Sequence, residues 1–127
     1  MQVIPGFLWL KRAKPPKGVS LENNPLDIPN IIRIHKNMQR IHIRIRGIVQ
    51  GVGFRYFTVR KARESGISGW VRNTPDGGVE IVAEGEKWQL EEFTKNVKIG
   101  PSLSSVTGME VKEEEYQDEF EGFEVRF

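Results

Sequence analysis

The stretch Val49-Gln50-Gly51-Val52-Gly53-Phe54-Arg55 constrains this chain more than any other. On its N-terminal side, Arg40 to Arg46 alternates strictly, with Ile41, Ile43 and Ile45 on one face and His42, Arg44 and Arg46 on the other, the pattern of a half-buried strand. On its C-terminal side, Phe54 to Ser65 reads as a helix. Phe54, Phe57, Val59 and Ala62 are available for its inner face, Arg60, Lys61, Arg63 and Glu64 for its outer face, and Gly66 for its cap. The two glycines therefore sit in a tight strand-to-helix turn. Glycine permits left-handed dihedrals there and keeps a Cβ out of a ligand's path, while free N–H groups at a helix start carry partial positive charge. Such a hollow suits an anion. The backbone N–H groups of Gln50, Gly51, Val52, Gly53 and Phe54 are the candidate donors, and the Arg55 guanidinium offers a fork matched to two oxygens of one phosphate. A glycine turn that serves chain reversal alone has the same local sequence.

A second motif follows. Ser68 to Asn73 reads as a short strand, and Pro75-Asp76-Gly77-Gly78 turns the chain into another, Val79 to Glu84. Together, V-Q-G-V-G-F-R and G-W-V-R-N-T-P-D-G-G-V-E resemble the acylphosphatase family. The resemblance runs from about Gln39 to Phe127 and takes in Gly100-Pro101-Ser102 and the closing Gly122-Phe123-Glu124-Val125-Arg126-Phe127. It implies a small enzyme that hydrolyses the mixed anhydride of acyl phosphates, with Arg55 binding the phosphate and Asn73 positioning the attacking water. The implied partners are a small-molecule acyl phosphate as substrate, and inorganic phosphate as product and competitive inhibitor. By position alone, Asn73 reads first as a strand-end residue entering a turn. The resemblance is what gives it a catalytic role.

The remaining periodicities complete the order of elements. Trp88, Leu90, Phe93, Val97 and Ile99 recur near helical spacing from about Lys87 to Lys98, and Gly100-Pro101 stops that helix. A strand over Val106 to Glu114 makes Val106, Gly108 and Val111 available to the core; a polar stretch then leads to a last short strand, Phe123 to Arg126. This β-α-β-β-α-β order with an added terminal strand predicts an α+β ferredoxin-like sandwich, two helices on one face of an antiparallel sheet. In that topology the turn after the first strand and the end of the second can converge, setting the glycine turn opposite Asn73. By strand parity Trp70 and Arg72 point to the other face, and the Thr74 hydroxyl is assigned to satisfying backbone.

Residues 1–37 read differently. They carry six basic and two acidic side chains, whereas the remainder carries thirteen basic and fifteen acidic, so the chain's net charge of +2 comes from its beginning. The expectation is a basic, non-catalytic N-terminal extension, followed by an acylphosphatase-like domain over residues 38–127, with Met38 a natural start for it. Phe7 to Leu10 would be a costly patch to leave in water, and Ile31 to His35 alternates like a strand. These segments are expected to dock on the domain, on a sheet edge or on a neighbouring chain. A monomer is the expected state, with the extension offering a route to dimerisation. The apolar run Val3 to Leu10 is interrupted by Pro5 and Gly6, lacks the layout of a secretory signal and is too short to span a bilayer, so no membrane partner is expected.

The absence of cysteine removes disulfides and thiolate chemistry and fits a reducing cytoplasm. His35 and His42 lie without a cluster of carboxylates, so neither a metal nor another cofactor is expected. An acyl phosphate does not demand one of these groups: its leaving carboxylate is stable without protonation, and catalysis reduces to gripping a phosphoryl group and holding a water in line. Direct water attack without a phosphoenzyme is the expected mechanism. Two other readings use the same fold. Single-stranded RNA binders need aromatics on the central strands, and Val79 to Glu84 has none and two acids, so no nucleic-acid partner is expected. A catalytically quiet anion-binding or regulatory module is the remaining alternative.

Overall fold

The computed structural model describes residues 37–127, and the expectations placed on residues 1–36 lie outside the described residues. The described chain runs β1 (Met38–Ile48), α1 (Phe54–Ser65), β2 (Ser68–Asn73), β3 (Val79–Glu86), α2 (Lys87–Ile99), β4 (Ser105–Glu114) and β5 (Phe123–Val125). These form one five-stranded sheet in the order β4-β1-β3-β2-β5. The four longer strands pair antiparallel, whereas β5 joins β2 in parallel, so the sheet is mixed at one edge. The parallel edge follows from chain direction: the long return after β4 delivers β5 alongside β2 without a hairpin. No helix among the described residues is long and apolar enough to cross a membrane.

Both helices pack on the face that the alternation of β1 predicts. Ile41, Ile43 and Ile45 meet Phe54, Val59 and Ala62 of α1 and Leu90, Phe93 and Val97 of α2 in one core. Each large side chain buried this way contributes about 1.5–3 kcal/mol before entropy is counted. Three details depart from the periodicity. Thr58, not Phe57, completes the buried face of α1, because its hydroxyl donates to the Phe54 carbonyl at 2.8 Å and carries no unmet polar cost. Phe57 instead lies under the cations of Arg60 and Lys61, each 5.6 Å from its ring. Trp88, Ile99 and Val111, all expected inward, are exposed, since they lie at the margins of the helix layer.

The central strand β3 is buried on both faces. On the side away from the helices, Glu80 accepts from Arg72 Nε at 2.7 Å, and its other oxygen lies 2.6 Å from His42 Nε2. Burial pushes the Glu80 carboxyl up, but the bonds to His42 and Arg72 outweigh it and leave the carboxyl below its ordinary value. Further along, Glu84 pairs with Arg40 and accepts the backbone N–H groups of Gln117 and Glu119, which fixes the polar return between β4 and β5. Arg72 thus serves the sheet's outer face, opposite the helix layer.

Candidate active site

The end of β1 is bent before it reaches the glycine turn. A bulge shifts the pairing with β4 between Arg46 and Gly47, and Gly47 takes φ 131° with its backbone so close to Ser105 that a Cβ would lie 2.0 Å from that carbonyl oxygen. The bulge re-aims the strand into the turn. Val49 is buried and Val52 packs against the core, which pins the turn from below. On either side of Val52, Gly51 and Gly53 adopt φ 76° and 79°, left-handed values, and a Cβ on either would meet nothing within 4 Å. Neighbouring atoms do not demand glycine here; the dihedral does, and open space is left in front of the turn.

Gly53 is also the N-cap of α1, which has no side-chain cap and no acid in its first turn. The first helical bond runs from the Phe57 N–H to the Gly53 carbonyl at 3.0 Å, so the amides of Phe54, Arg55 and Tyr56 precede the ladder. Arg55 is half-buried in this first turn, and its guanidinium lies 5.2 Å from the ring centre of Phe127. Arg126 N–H donates to the Val71 carbonyl at 2.8 Å, continuing the β2–β5 alignment and bringing the chain's last residue to the helix start. Among the described residues no ion pair holds Arg55, a cation set against the positive end of its own helix. An anion at the turn would relieve that cost.

The opposite wall is the end of β2 and the turn after it. Gln50 links the two: its side-chain Nε2 donates to the carbonyls of Thr74 at 2.9 Å and Gly78 at 2.8 Å. The sequence reading used only the backbone of Gln50 and missed this clamp, because spacing shows the turn and not which residue reaches across it. Asn73 is the last residue of β2, on the helix side by parity with buried Val71, and its Oδ1 is buried with no hydrogen-bond partner among the described residues. A buried acceptor left unmet costs about 1–3 kcal/mol. Trp70 and Arg72 face away: Arg72 bonds Glu80, and the guanidiniums of Arg72 and Arg126 lie 5.7 and 4.9 Å from the Trp70 ring centre.

Within the turn, the Thr74 hydroxyl donates to the Asp76 carboxylate, and the Gly78 N–H donates to Thr74 Oγ1 at 3.0 Å and Asp76 Oδ1 at 3.3 Å. Thr74 therefore acts structurally. These bonds, the hydroxyl first and the Gly78 amide second, hold the Asp76 carboxyl below its ordinary value. A carboxyl depressed on folding stabilises the fold above its unfolded pKa, and that contribution is lost as pH falls through the lower folded value. The expected result is that Asp76→Ala is less stable than wild type at neutral pH and that the gap in urea midpoint closes on acidification below the ordinary aspartate range. A gap independent of pH would remove Asp76 from the turn's support.

Among the described residues, no group of three or more His, Asp or Glu side chains is placed to hold a metal ion. Among the described residues the geometry assembles a glycine turn with open space before it, helix amides that precede the ladder, a guanidinium without an ion pair beside Phe127, and an unmet amide oxygen on a strand clamped to that turn.

The chain is similar to known proteins over most of the described residues. The acylphosphatase family model matches residues 41–125. An acylphosphatase of Archaeoglobus fulgidus is 52% identical over 90 residues, covering 71% of this chain and 100% of that protein. One from Chlorobaculum tepidum is 51% identical over 75 residues, covering 59% and 82%. The crystal structure of the Bacillus subtilis acylphosphatase superposes with a TM-score of 0.68 at 39% identity, over 70% of this chain and 99% of that one. With the family model matching residues 41–125, and with relatives about half identical over most or all of their own length, the chain belongs to the acylphosphatase family.

Proposed function

We propose that residues 38–127 form an acylphosphatase domain that hydrolyses the carboxyl–phosphate bond of small acyl phosphates, giving a carboxylate and inorganic phosphate. Membership of the family supports the reaction. The observation that carries the mechanism is the buried, unpartnered Oδ1 of Asn73 on a strand that the Gln50 amide ties to the glycine turn.

In this reading the phosphoryl oxygens sit in front of Gly51 and Gly53, facing the backbone N–H groups of the Gln50–Phe54 turn and the Arg55 guanidinium. The open space at both glycines suits that approach. Positive groups there stabilise the charge on the equatorial oxygens as the transition state develops. Asn73 Oδ1 accepts a hydrogen bond from a water and sets its lone pair toward phosphorus. The water oxygen bonds to phosphorus as the bond from phosphorus to the acyl oxygen breaks. The bonding electrons leave with the carboxylate, and the water's protons pass to phosphate and solvent. Carboxylate departure requires no general acid, and Asn73 does not titrate near neutral pH. With recognition concentrated on the phosphoryl group, a broad range of acyl groups is accepted.

The test is steady-state hydrolysis of benzoyl phosphate by the full chain with a chelator present. Turnover competitively inhibited by inorganic phosphate is the expected result. Phosphate binding without turnover, in the full chain and in residues 38–127 alike, would replace catalysis by anion binding.

A further inference from the structure

Sheet pairing stops short of the site. Asn73↔Val79 is the last register pair between β2 and β3, and Ile45↔Val79 is the last between β1 and β3. On the site's side of Val79 the glycine turn and the turn after β2 are separate loops, and among the described residues the hydrogen bonds that span them come from one side chain, Gln50. Its Nε2 carries two protons and both are used, on the carbonyls of Thr74 at 2.9 Å and Gly78 at 2.8 Å. These residues lie one step beyond the Asn73↔Val79 pair, one on each side of the hairpin. Each carbonyl is already aimed by the turn itself: that of Thr74 also accepts from the Gly77 N–H at 3.2 Å, and that of Gly78 from the Thr74 N–H at 3.0 Å. The hairpin end is thus a preformed pair of acceptors, and Gln50 is the donor that reaches it. Each loop has its own support besides this strut. Val49 and Val52 hold the glycine turn on the core, and Gly78 lies so close to β1 that a Cβ would sit 2.6 Å from the Ile45 carbonyl oxygen.

We propose that the Gln50 side chain is a positioning residue for the hydrolysis, setting the distance between a phosphoryl group in the glycine turn and the water on Asn73; the inference rests on the assignment of that water to Asn73. Attack requires the water oxygen about 3–3.5 Å from phosphorus, and a misplacement of about 1 Å can cost a hundredfold in rate. Phosphorus is placed by one loop and the water by the residue that ends β2, so their separation is set by whatever joins the two loops. Gln50 joins them, and the peptide bond from Asn73 to Thr74 passes its hold directly to the Asn73 backbone. With both amide protons on the hairpin, the side chain has no donor left for the phosphoryl oxygens, so it acts through Asn73 and not on the substrate. The role needs a donor as well as the length. A glutamate would reach as far but would set a charged acceptor against two carbonyls.

Benzoyl phosphate hydrolysis by the full chain tests this in wild type, Gln50→Met, Asn73→Ala and the double variant, with circular dichroism establishing that each is folded. Gln50→Met keeps the length of the side chain and removes both donors, while each carbonyl keeps its bond within the turn. It is expected to lower kcat about tenfold or more. Inhibition by inorganic phosphate should stay within about twofold of wild type, since the amides of the glycine turn and Arg55 are untouched. The double variant should match the kcat of Asn73→Ala within about twofold, because the loss at Gln50 is already contained in the loss of Asn73. A residue that only supports the fold would instead multiply the two losses and weaken phosphate inhibition along with kcat. Gln50→Glu, of the same shape and with no proton to give at neutral pH, is expected to lose kcat at least as far as Gln50→Met. Wild-type kcat in either Gln50 variant overturns the proposal, as do phosphate inhibition in Gln50→Met weakened as far as kcat and losses that multiply in the double variant. Asn73→Ala with wild-type kcat is a separate result: it removes the assignment of the water, and the proposal falls with it.

Discussion

Asn73→Ala is expected to lower kcat for benzoyl phosphate by roughly a hundredfold or more, the scale seen when one preorganised polar group is removed from a transition state. Its inhibition by inorganic phosphate should stay close to wild type. The split follows from where the side chain sits. Asn73 ends β2 with its Oδ1 buried and unmet, while the groups proposed to hold phosphate belong to the turn before α1 and to Arg55. The substitution also removes an unmet acceptor from the fold, so thermal stability should hold or rise. That is a signature a structural asparagine would not give, since truncating a residue that satisfied the turn would lower the melting temperature. A variant with wild-type kcat removes Asn73 from the mechanism. One that loses phosphate affinity as strongly as kcat makes it a binding residue.

Arg55→Ala should damage both quantities together. A charged donor gripping phosphoryl oxygens is worth about 1.5–3 kcal/mol per hydrogen bond, so losing the fork is expected to cost roughly a hundredfold or more in kcat/KM and to weaken phosphate inhibition. Arg55→Lys retains charge without the planar fork and should fall between the two. Because the guanidinium lies 5.2 Å over Phe127, removing that ring takes away a contact worth about 0.5–1 kcal/mol at an exposed site, and its effect should be only a few-fold. Phosphate inhibition of Arg55→Ala at the wild-type concentration would contradict the role assigned to Arg55.

Much of this architecture is legible in the chain because local pattern and global fold agree. The strict alternation of Ile41, Ile43 and Ile45 gives β1 and its buried face, and Gly66 and Gly100 end the helices where the apolar period stops. What stayed hidden depends on contacts between residues distant in sequence. The parallel pairing of β5 is not written in Phe123-Glu124-Val125, and without it Phe127 has no reason to meet Arg55. The Gln50 side chain crosses to Thr74 and Gly78, a clamp that appears only once β1 and β2 are placed on either side of β3. Val111 has the right parity for the core and is exposed all the same, because parity sets a direction and the extent of α2 sets the cover. At the site itself, the glycines were readable through their dihedrals, whereas the unmet oxygen of Asn73 is a property of packing.

The central claim is that the bond broken is the one between phosphorus and the acyl oxygen, with water oxygen ending on phosphorus and not on the carbonyl carbon. It is tested most directly by turning over benzoyl phosphate in water enriched in oxygen-18, with a chelator present, and finding the label by mass spectrometry. The account expects one labelled oxygen in the inorganic phosphate and none in the benzoate. Label in the benzoate would mean that water attacks the carbonyl carbon, and the roles given to the glycine turn, Arg55 and Asn73 would be contradicted.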